Sequence, residues 1–506
     1  MIPTPKAAEL ISGRRLAKSA MWNLLGMGAP LLVALFAIPL LIDGFGKERF
    51  GLLAIIWMGV GYFSLFDFGL GRALTKLVAE RLGSGDLGNL GRLIWTGLIM
   101  LLGLGLLGGV AVWLLSDAIV SSVLNVEPGL RAEAITSFRI LALGLPVVVL
   151  TSALIGILEA YQRFGLIAAI RVPLGVLTFA GPLLTLQFTP SLTWATFALL
   201  VSRLVALVAY YFAAGSANKA LWAPRAPDLA DVRPLVSFGG WQTVTNIVGP
   251  LMTYLDRFVV GALLNLRAVT FYVAPYEAFS RIQILPQALM GVVFPAFSTS
   301  AARDQKRLAS LYADSCRFAA FSMLPIAATA FLFAPEILEL WLGQEFAMTS
   351  ATVVKFLAVG CLTNTLARLP FTALQGTGRP DLVALTHLAE LLPYLAILWW
   401  ATVHYGIAGA ALAWTLRATI DALILNEIAG MQIAALHDSV ATTRWALLGL
   451  VAVFAALWVV ENTILRVSIL AGVIGTSAWF LWPFAKQILR KAPGLSSPSD
   501  LAQRTA

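Results

Sequence analysis

Three stretches of this sequence, Ser19 to Ile42, Leu93 to Ser116 and Val467 to Ala485, carry no charged residue, and comparable apolar runs follow one another along most of the chain. Each is about the 20 residues that an α-helix needs to cross a hydrocarbon core of roughly 30 Å. A single run of this kind could be an anchor. A succession from Ser19 to Ala485 leaves no polar stretch long enough for an independent soluble domain, so any function must reside in a bundle of membrane helices. Composition agrees: 59% of the 506 residues are hydrophobic and 12% are charged, where a soluble domain carries about 25% charged residues.

The same counts exclude several kinds of chemistry. The two cysteines, Cys316 and Cys361, lie in apolar helical stretches, which offers neither a disulfide framework nor a thiolate metal site. Three histidines, His387, His404 and His437, do not make a His-rich metal site. The net charge of +9 is scattered over segment ends, a pattern of topology and not of nucleic-acid binding. Lys6, Arg14, Arg15 and Lys18 precede the first apolar run like the n-region of a secretory signal, but the run is longer than a signal core and no small-residue cleavage site follows. We read it as an uncleaved first transmembrane helix.

Apolar runs set against Gly, Pro and charged breaks predict an all-α polytopic membrane protein of about 14 transmembrane helices. They are 19–42, 50–71, 93–115, 135–158, 166–187, 192–214, 236–262, 269–297, 315–338, 350–372, 383–402, 406–429, 445–460 and 467–487. On this count the N-tail, the even-numbered connections and the C-tail hold about 21 Lys and Arg, against about 5 in the odd-numbered ones. Basic residues concentrate on the cytoplasmic side. Both termini are therefore expected in the cytoplasm.

The longest polar interruption, 215–233, divides the first twelve helices into six and six. Phe138-Arg-Ile-Leu-Ala-Leu-Gly144 aligns without a gap on Val354-Lys-Phe-Leu-Ala-Val-Gly360, and the register runs on to Leu158-Glu-Ala-Tyr-Gln-Arg-Phe-Gly-Leu166 against Leu374-Gln-Gly-Thr-Gly-Arg-Pro-Asp-Leu382. Two halves that both start inside form a parallel repeat about an axis along the membrane normal, with a substrate site expected between them. The expected organisation is a cytoplasmic N-tail (1–18), a six-helix bundle (19–214), a cytoplasmic linker (215–233), a second six-helix bundle (234–430), an extra helix pair (431–490) and a cytoplasmic tail (491–506).

An ionisable residue at the centre of a membrane helix costs about 2.5–3.5 kcal/mol on insertion scales. Arg139 and Lys355, near the outer face, and Asp67, Arg171 and Arg368, near the inner face, can snorkel to water. Arg203, Arg281 and Arg417 are mid-helix. Glu277 with Arg281, and Arg417 with Asp421, are spaced i, i+4 and share a helix face, so each can be a neutralised pair or part of a wet cavity that attracts an anion. His387 and Glu390 are one turn apart on the eleventh helix and could carry a coupling proton, or hydrogen-bond as neighbours. Asn23, Gln242, Asn246, Gln283 and Gln287 read first as polar contacts between helices. No enzyme motif is present: Gly103 to Gly109 lies in an apolar helix without a preceding strand or a following Walker lysine, and Asp67-Phe-Gly69 is a chance kinase tripeptide.

From about Leu16 to Gly430 the chain resembles the Wzx oligosaccharide flippases, of the superfamily that also holds multidrug extruders and the lipid II flippase. The resemblance rests on Ala20-Met-Trp-Asn-Leu-Leu-Gly26, Phe45-Gly-Lys-Glu-Arg-Phe-Gly-Leu-Leu-Ala54, Phe66-Asp-Phe-Gly-Leu-Gly-Arg-Ala-Leu-Thr-Lys-Leu-Val-Ala-Glu80, and Asp256-Arg-Phe-Val-Val-Gly261 followed by Tyr272 and Val292-Val-Phe-Pro-Ala-Phe297. The two helices after Gly430 favour a lipid-linked substrate, since extruders usually stop at twelve. In lipid II relatives that pair forms a groove for the lipid tail.

The resemblance implies inversion of an undecaprenyl diphosphate-linked oligosaccharide from the cytoplasmic to the periplasmic leaflet of the bacterial inner membrane. No cofactor, metal or nucleic acid is implied; the partners are the lipid-linked oligosaccharide with its anionic diphosphate, membrane lipid, and the polymerase and chain-length machinery of polysaccharide assembly. In the family the first, second, seventh and eighth helices border the cavity, which makes Arg281, Glu277 and Asp67 the leading substrate contacts, with Arg203, Arg417, Gln287 and Asn246 as further candidates. Asp256, Asp421, His387 and Glu390 are candidates for ion coupling, as in an antiporter. The competing readings are a cation-coupled multidrug extruder, a lipid II flippase, and a membrane-embedded transferase or polymerase, which would carry long periplasmic loops that this chain lacks.

Overall fold

A computed structural model describes residues 32–491 except 86–87, 125, 284–296 and 298–303. The described residues are almost entirely helical, with no strand among them. In a bilayer every backbone polar group must be satisfied within the segment, which leaves helices as the solution for such sequence runs. The first half comprises α1 (Leu32–Phe45), α2 (Lys47–Tyr62), α3 (Leu70–Ser84), α4 (Leu90–Ala118), α5 (Pro128–Ala160), α6 (Phe164–Leu186) and α7 (Leu192–Ala217). In the second are α8 (Leu229–Leu263), α9 (Leu266–Ile282), α10 (Gln305–Leu332), α11 (Ala334–Leu342), α12 (Gln344–Gly376) and α13 (Pro380–Gln432), followed by α14 (His437–Leu457) and α15 (Thr463–Lys491). Nine helices among the described residues are long and apolar enough to span, and the chain is a multi-pass membrane protein.

One of the nine is a hairpin. A straight helix of 53 residues would be about 80 Å long, yet Arg379 at the start of α13 donates a 2.7 Å hydrogen bond to Gln432 at its end. The reversal is at Gly406, with φ 60°, between the expected eleventh and twelfth helices. The expected thirteenth helix is α14, and its 21 residues begin eight earlier than the apolar run indicates. Helix α8 begins at Leu229, so the end of the 215–233 linker is helical.

Two spans depart from expectation. The second, 50–71, is not continuous: α2 gives way to a 3-10 turn, Phe63–Asp67, and α3 starts after Phe68 and Gly69 in the left-handed region, at φ 46° and 72°. Asp67 Oδ1 accepts a 2.8 Å hydrogen bond from the Gly69 amide, the local side-chain-to-backbone contact with which Asp competes against a helix. The ninth, 315–338, is two helices, α10 and α11, broken before Pro335. Pro325 lies inside α10, and the Thr329 hydroxyl donates to its carbonyl. The eighth is described as far as Gln283 and again at Phe297; residues 284–296 fall outside the described residues.

The repeat recurs in backbone geometry. Helices α5 and α12 each have 33 residues, and both end in the same Schellman motif. Arg163 N donates to Leu158 O and Gln162 N to Glu159 O in one half, Arg379 N to Leu374 O and Gly378 N to Gln375 O in the other. Gln162 and Gly378 occupy the left-handed position, at φ 55° and 83°. These are the residues that the sequence alignment pairs.

Small residues let the helices approach, as expected where lipid removes the hydrophobic incentive to associate. The Gly-rich stretch of α4 serves this purpose: a Cβ on Gly105 would lie 2.6 Å from the Pro146 backbone of α5, and one on Gly109 2.8 Å from the Ala142 carbonyl. Leu106, Leu107, Val110 and Leu114, on the rest of that turn series, are exposed for lipid. Helix α15 docks on α10 through stacked Phe321 and Phe480, with centroids 4.2 Å apart, and α14 is tied to α13 by Asn426 Nδ2 donating to Val440 O at 2.9 Å.

Candidate functional site

A polar cluster forms inside the second half, where α9 packs against α8, α12 and α13. It begins at Asp256 and Arg257, which are 0% and 2% exposed. An unpaired buried charge is costly, and both are held. Asp256 Oδ2 accepts from the Tyr272 hydroxyl at 2.5 Å and Oδ1 from the Arg257 amide at 2.8 Å. The Arg257 guanidinium lies 3.6 Å from Glu277 and 4.3 Å from the centre of the Tyr276 ring, a cation–π distance. Tyr272, Tyr276 and Trp414 continue as an aromatic row with centroid spacings of 6.1 and 5.7 Å.

Further along α12, Arg368 and Asn364 both donate to the side-chain oxygen of buried Gln283, at 3.2 and 3.1 Å. The limbs of α13 supply the rest. His387 Nε2 lies 3.3 Å from Asp421 Oδ1, and Arg417 sits 5.9 Å from the Tyr394 ring. A groove of about 490 Å³ runs between these limbs, walled by Leu and Ile, with Glu390, Tyr394 and Arg417 among its lining residues. Glu390 is 9% exposed and neither of its carboxylate oxygens has a hydrogen-bond partner among the described residues.

The cluster thus interleaves Arg257, Arg368 and Arg417 with Asp256, Glu277, Glu390 and Asp421, beside three aromatic rings. Arginine remains charged in any surroundings and grips phosphate oxygens two at a time. Carboxylates and amides accept from sugar hydroxyls, and ring faces cover sugar C–H surfaces. Among the described residues no group of three or more His, Cys, Asp or Glu could hold a metal ion.

Of the residues singled out from sequence, Glu277, Asp256, Arg417, Asp421, His387 and Glu390 fall in this region. Two of them meet residues of other helices or limbs. Glu277 faces Arg257 of α8, and Asp421 faces His387 of the opposite limb. Asp67 and Arg203 are in the first half. Asp67 is buried at the α2–α3 break; Arg203 is on α7, its Nε buried without a hydrogen-bond partner among the described residues. Gln287 and Asn23 lie outside the described residues, as do the side chains of Arg281, Gln242 and Asn246.

Sequence reasoning missed Arg257, Arg368 and the tyrosines as one constellation. Arg257 adjoins Asp256 and is six residues from the end of α8, so its depth was a usable signal. The pairing across α8 and α9 was not.

Comparison with known proteins adds a family. Residues 45–351 match the family described as polysaccharide biosynthesis protein. A Shigella flexneri protein named as an O-antigen transporter is 31% identical over 412 residues, which is 81% of this chain and 96% of that one. A Haloferax volcanii protein named as the low-salt glycan biosynthesis flippase Agl15 is 22% identical over 199 residues, 39% of this chain and 42% of that one. In fold, the chain is similar to the lipid II flippase MurJ in an inward closed conformation, with TM-score 0.68, 13% identity and coverage of 92% and 99%. It is also similar to an inward-facing multidrug resistance transporter of the MATE family, with TM-score 0.65, 18% identity and coverage of 82% and 99%.

Proposed function

Since this chain belongs to the polysaccharide biosynthesis protein family, we propose that it is a flippase that turns isoprenoid diphosphate-linked oligosaccharides from the cytoplasmic to the periplasmic leaflet of the inner membrane. A sugar diphosphate cannot cross hydrocarbon unaided, because its charges and hydroxyls would lose their water. A polar compartment between two six-helix halves removes that cost while the isoprenoid tail stays in lipid. The halves rock about it in turn, with both termini cytoplasmic.

The observation that carries this reading is the Arg257, Glu277 and Tyr276 arrangement on α8 and α9: a cation buried in the bundle, 3.6 Å from a carboxylate and backed by an aromatic ring. Such a cation can exchange its carboxylate for a phosphate. Arg281, Arg417, Asp67, Arg203, Asn246 and Gln287 are the further residues we propose as head-group contacts. Glu390, His387, Asp421 and Asp256 form the ion-coupling set, in which Glu390 has no hydrogen-bond partner among the described residues. The product leaflet is where a polymerase and its chain-length partner would receive the unit.

The test is complementation. In a bacterial strain deleted for its own oligosaccharide flippase, this chain should restore surface polysaccharide while Arg257→Ala, present at the same level in the membrane, should not. Restoration by both proteins would remove Arg257 from the site.

A further inference from the structure

At the end of the bundle that the charge asymmetry assigns to the periplasm, the two halves touch through a compact set of contacts. Glu345, at the start of α12, is shared by cations from both halves: Lys47 at the start of α2 and Arg267 at the start of α9, the latter at 2.5 Å. Thr270 of α9 donates to the Lys47 carbonyl at 2.5 Å, and Trp341 of α11 donates to the Leu35 carbonyl of α1 at 2.7 Å. Beneath the ion pairs α2 comes close to the α9 backbone at Gly51. A Cβ on Gly51 would lie 2.0 Å from the Leu266 carbonyl oxygen and 3.0 Å from Thr270 Oγ1.

We infer that these contacts form an external latch, in which Glu345 is the clasp and the Gly51–Leu266 contact is the seat that lets it close. The inference rests on the reading of the chain as an alternating-access carrier and adds the part that must separate in each cycle. Three features fit a contact made and broken repeatedly. The ion pairs are half-exposed, where such pairs are weak. The first half contributes one cation, so one separation breaks its hold. The seat is backbone against backbone, so it closes fully or not at all.

The test uses the full chain in lipid nanodiscs, with spin labels at Glu127→Cys in the first half and Met348→Cys in the second, both exposed at this end. The native cysteines are buried, so labelling is confined to the engineered sites. Glu345→Gln should raise the ratio of long to short distances about two- to fivefold, the worth of an exposed ion pair. Gly51→Ala should raise it about tenfold, because the added methyl cannot be accommodated beside a carbonyl. A short thiol crosslink between Lys47→Cys and Glu345→Cys should abolish the long distance, with reversal on cleavage. An unchanged distribution in Glu345→Gln, or a crosslinked protein that still samples the long distance, overturns the latch. Because no substrate is present, that outcome is separate from failure of the proposed cargo, which only a transport assay detects.

Discussion

The Tyr272 hydroxyl donates a 2.5 Å hydrogen bond to Asp256, joining α9 to α8 at a point where neither residue touches solvent. Asp256 in turn accepts from the amide of Arg257, whose guanidinium reaches Glu277 on α9. The two helices are therefore linked twice within a short stretch, once by a fixed hydrogen bond and once by a longer ion pair.

The fixed link should matter for stability. Asp256→Ala leaves the buried Tyr272 hydroxyl without its acceptor, a loss of about 1–3 kcal/mol, whereas Tyr272→Phe removes the donor and leaves a carboxylate with one remaining amide. Both variants should melt earlier than the parent in detergent, and Asp256→Asn, which can still accept, should fall between them and the parent. Equal melting of all four proteins would show that the bond contributes nothing.

The longer link should matter for transport. Exchanging the charges, Arg257→Glu with Glu277→Arg, preserves a neutral pair but moves the cation to α9. The exchanged protein should reach the membrane at normal levels and fail to restore polysaccharide export. Normal export would mean that the pair only neutralises itself. Arg281→Ala should likewise stop export without lowering the amount of protein.

Glu390 lines the groove between the α13 limbs with no hydrogen-bond partner for its carboxylate among the described residues. Glu390→Gln should make transport in sealed vesicles insensitive to an imposed pH gradient while leaving exchange without a gradient intact. An undiminished response to the gradient would assign coupling elsewhere in the set of His387, Asp421 and Asp256.

The matched turns after α5 and α12 allow a prediction about the fold itself. Gln162 is a non-glycine residue at φ 55°, where its counterpart is Gly378, and a left-handed conformation costs an ordinary residue about 1–2 kcal/mol. Gln162→Gly should therefore raise stability by several tenths of a kcal/mol after its greater chain entropy, and Gly378→Gln should lower it. Thermal unfolding of both variants measures the difference.

That pair of turns also illustrates what could be read before any coordinates. The register that aligns Leu158 with Leu374 came from side-chain identity alone, yet it superimposes two capping motifs hydrogen bond for hydrogen bond. Apolar run length was equally informative, because a bilayer leaves few alternatives to a helix of about 20 residues. The Asp67 break was hidden, since hydropathy is blind to a single Asp that prefers the Gly69 amide to the helix ladder. The contact of Glu277 with Arg257 was hidden for another reason. Spacing along one helix offers Arg281, but only packing brings Arg257 across from α8. In the first half, Asp67 is indicated by its place on the second helix and Arg203 by its mid-helix depth; the structure puts the one at the α2–α3 break and the other on α7.

The most direct measurement places the purified chain in liposomes with a fluorescent polyprenyl diphosphate-linked oligosaccharide and follows its exposure to an impermeant sugar-oxidising reagent. The account predicts that wild-type protein exposes inner-leaflet lipid faster than protein-free liposomes do, and that Arg257→Ala returns the rate to theirs. A wild-type rate equal to that of empty liposomes, or an undiminished rate in Arg257→Ala, would contradict it.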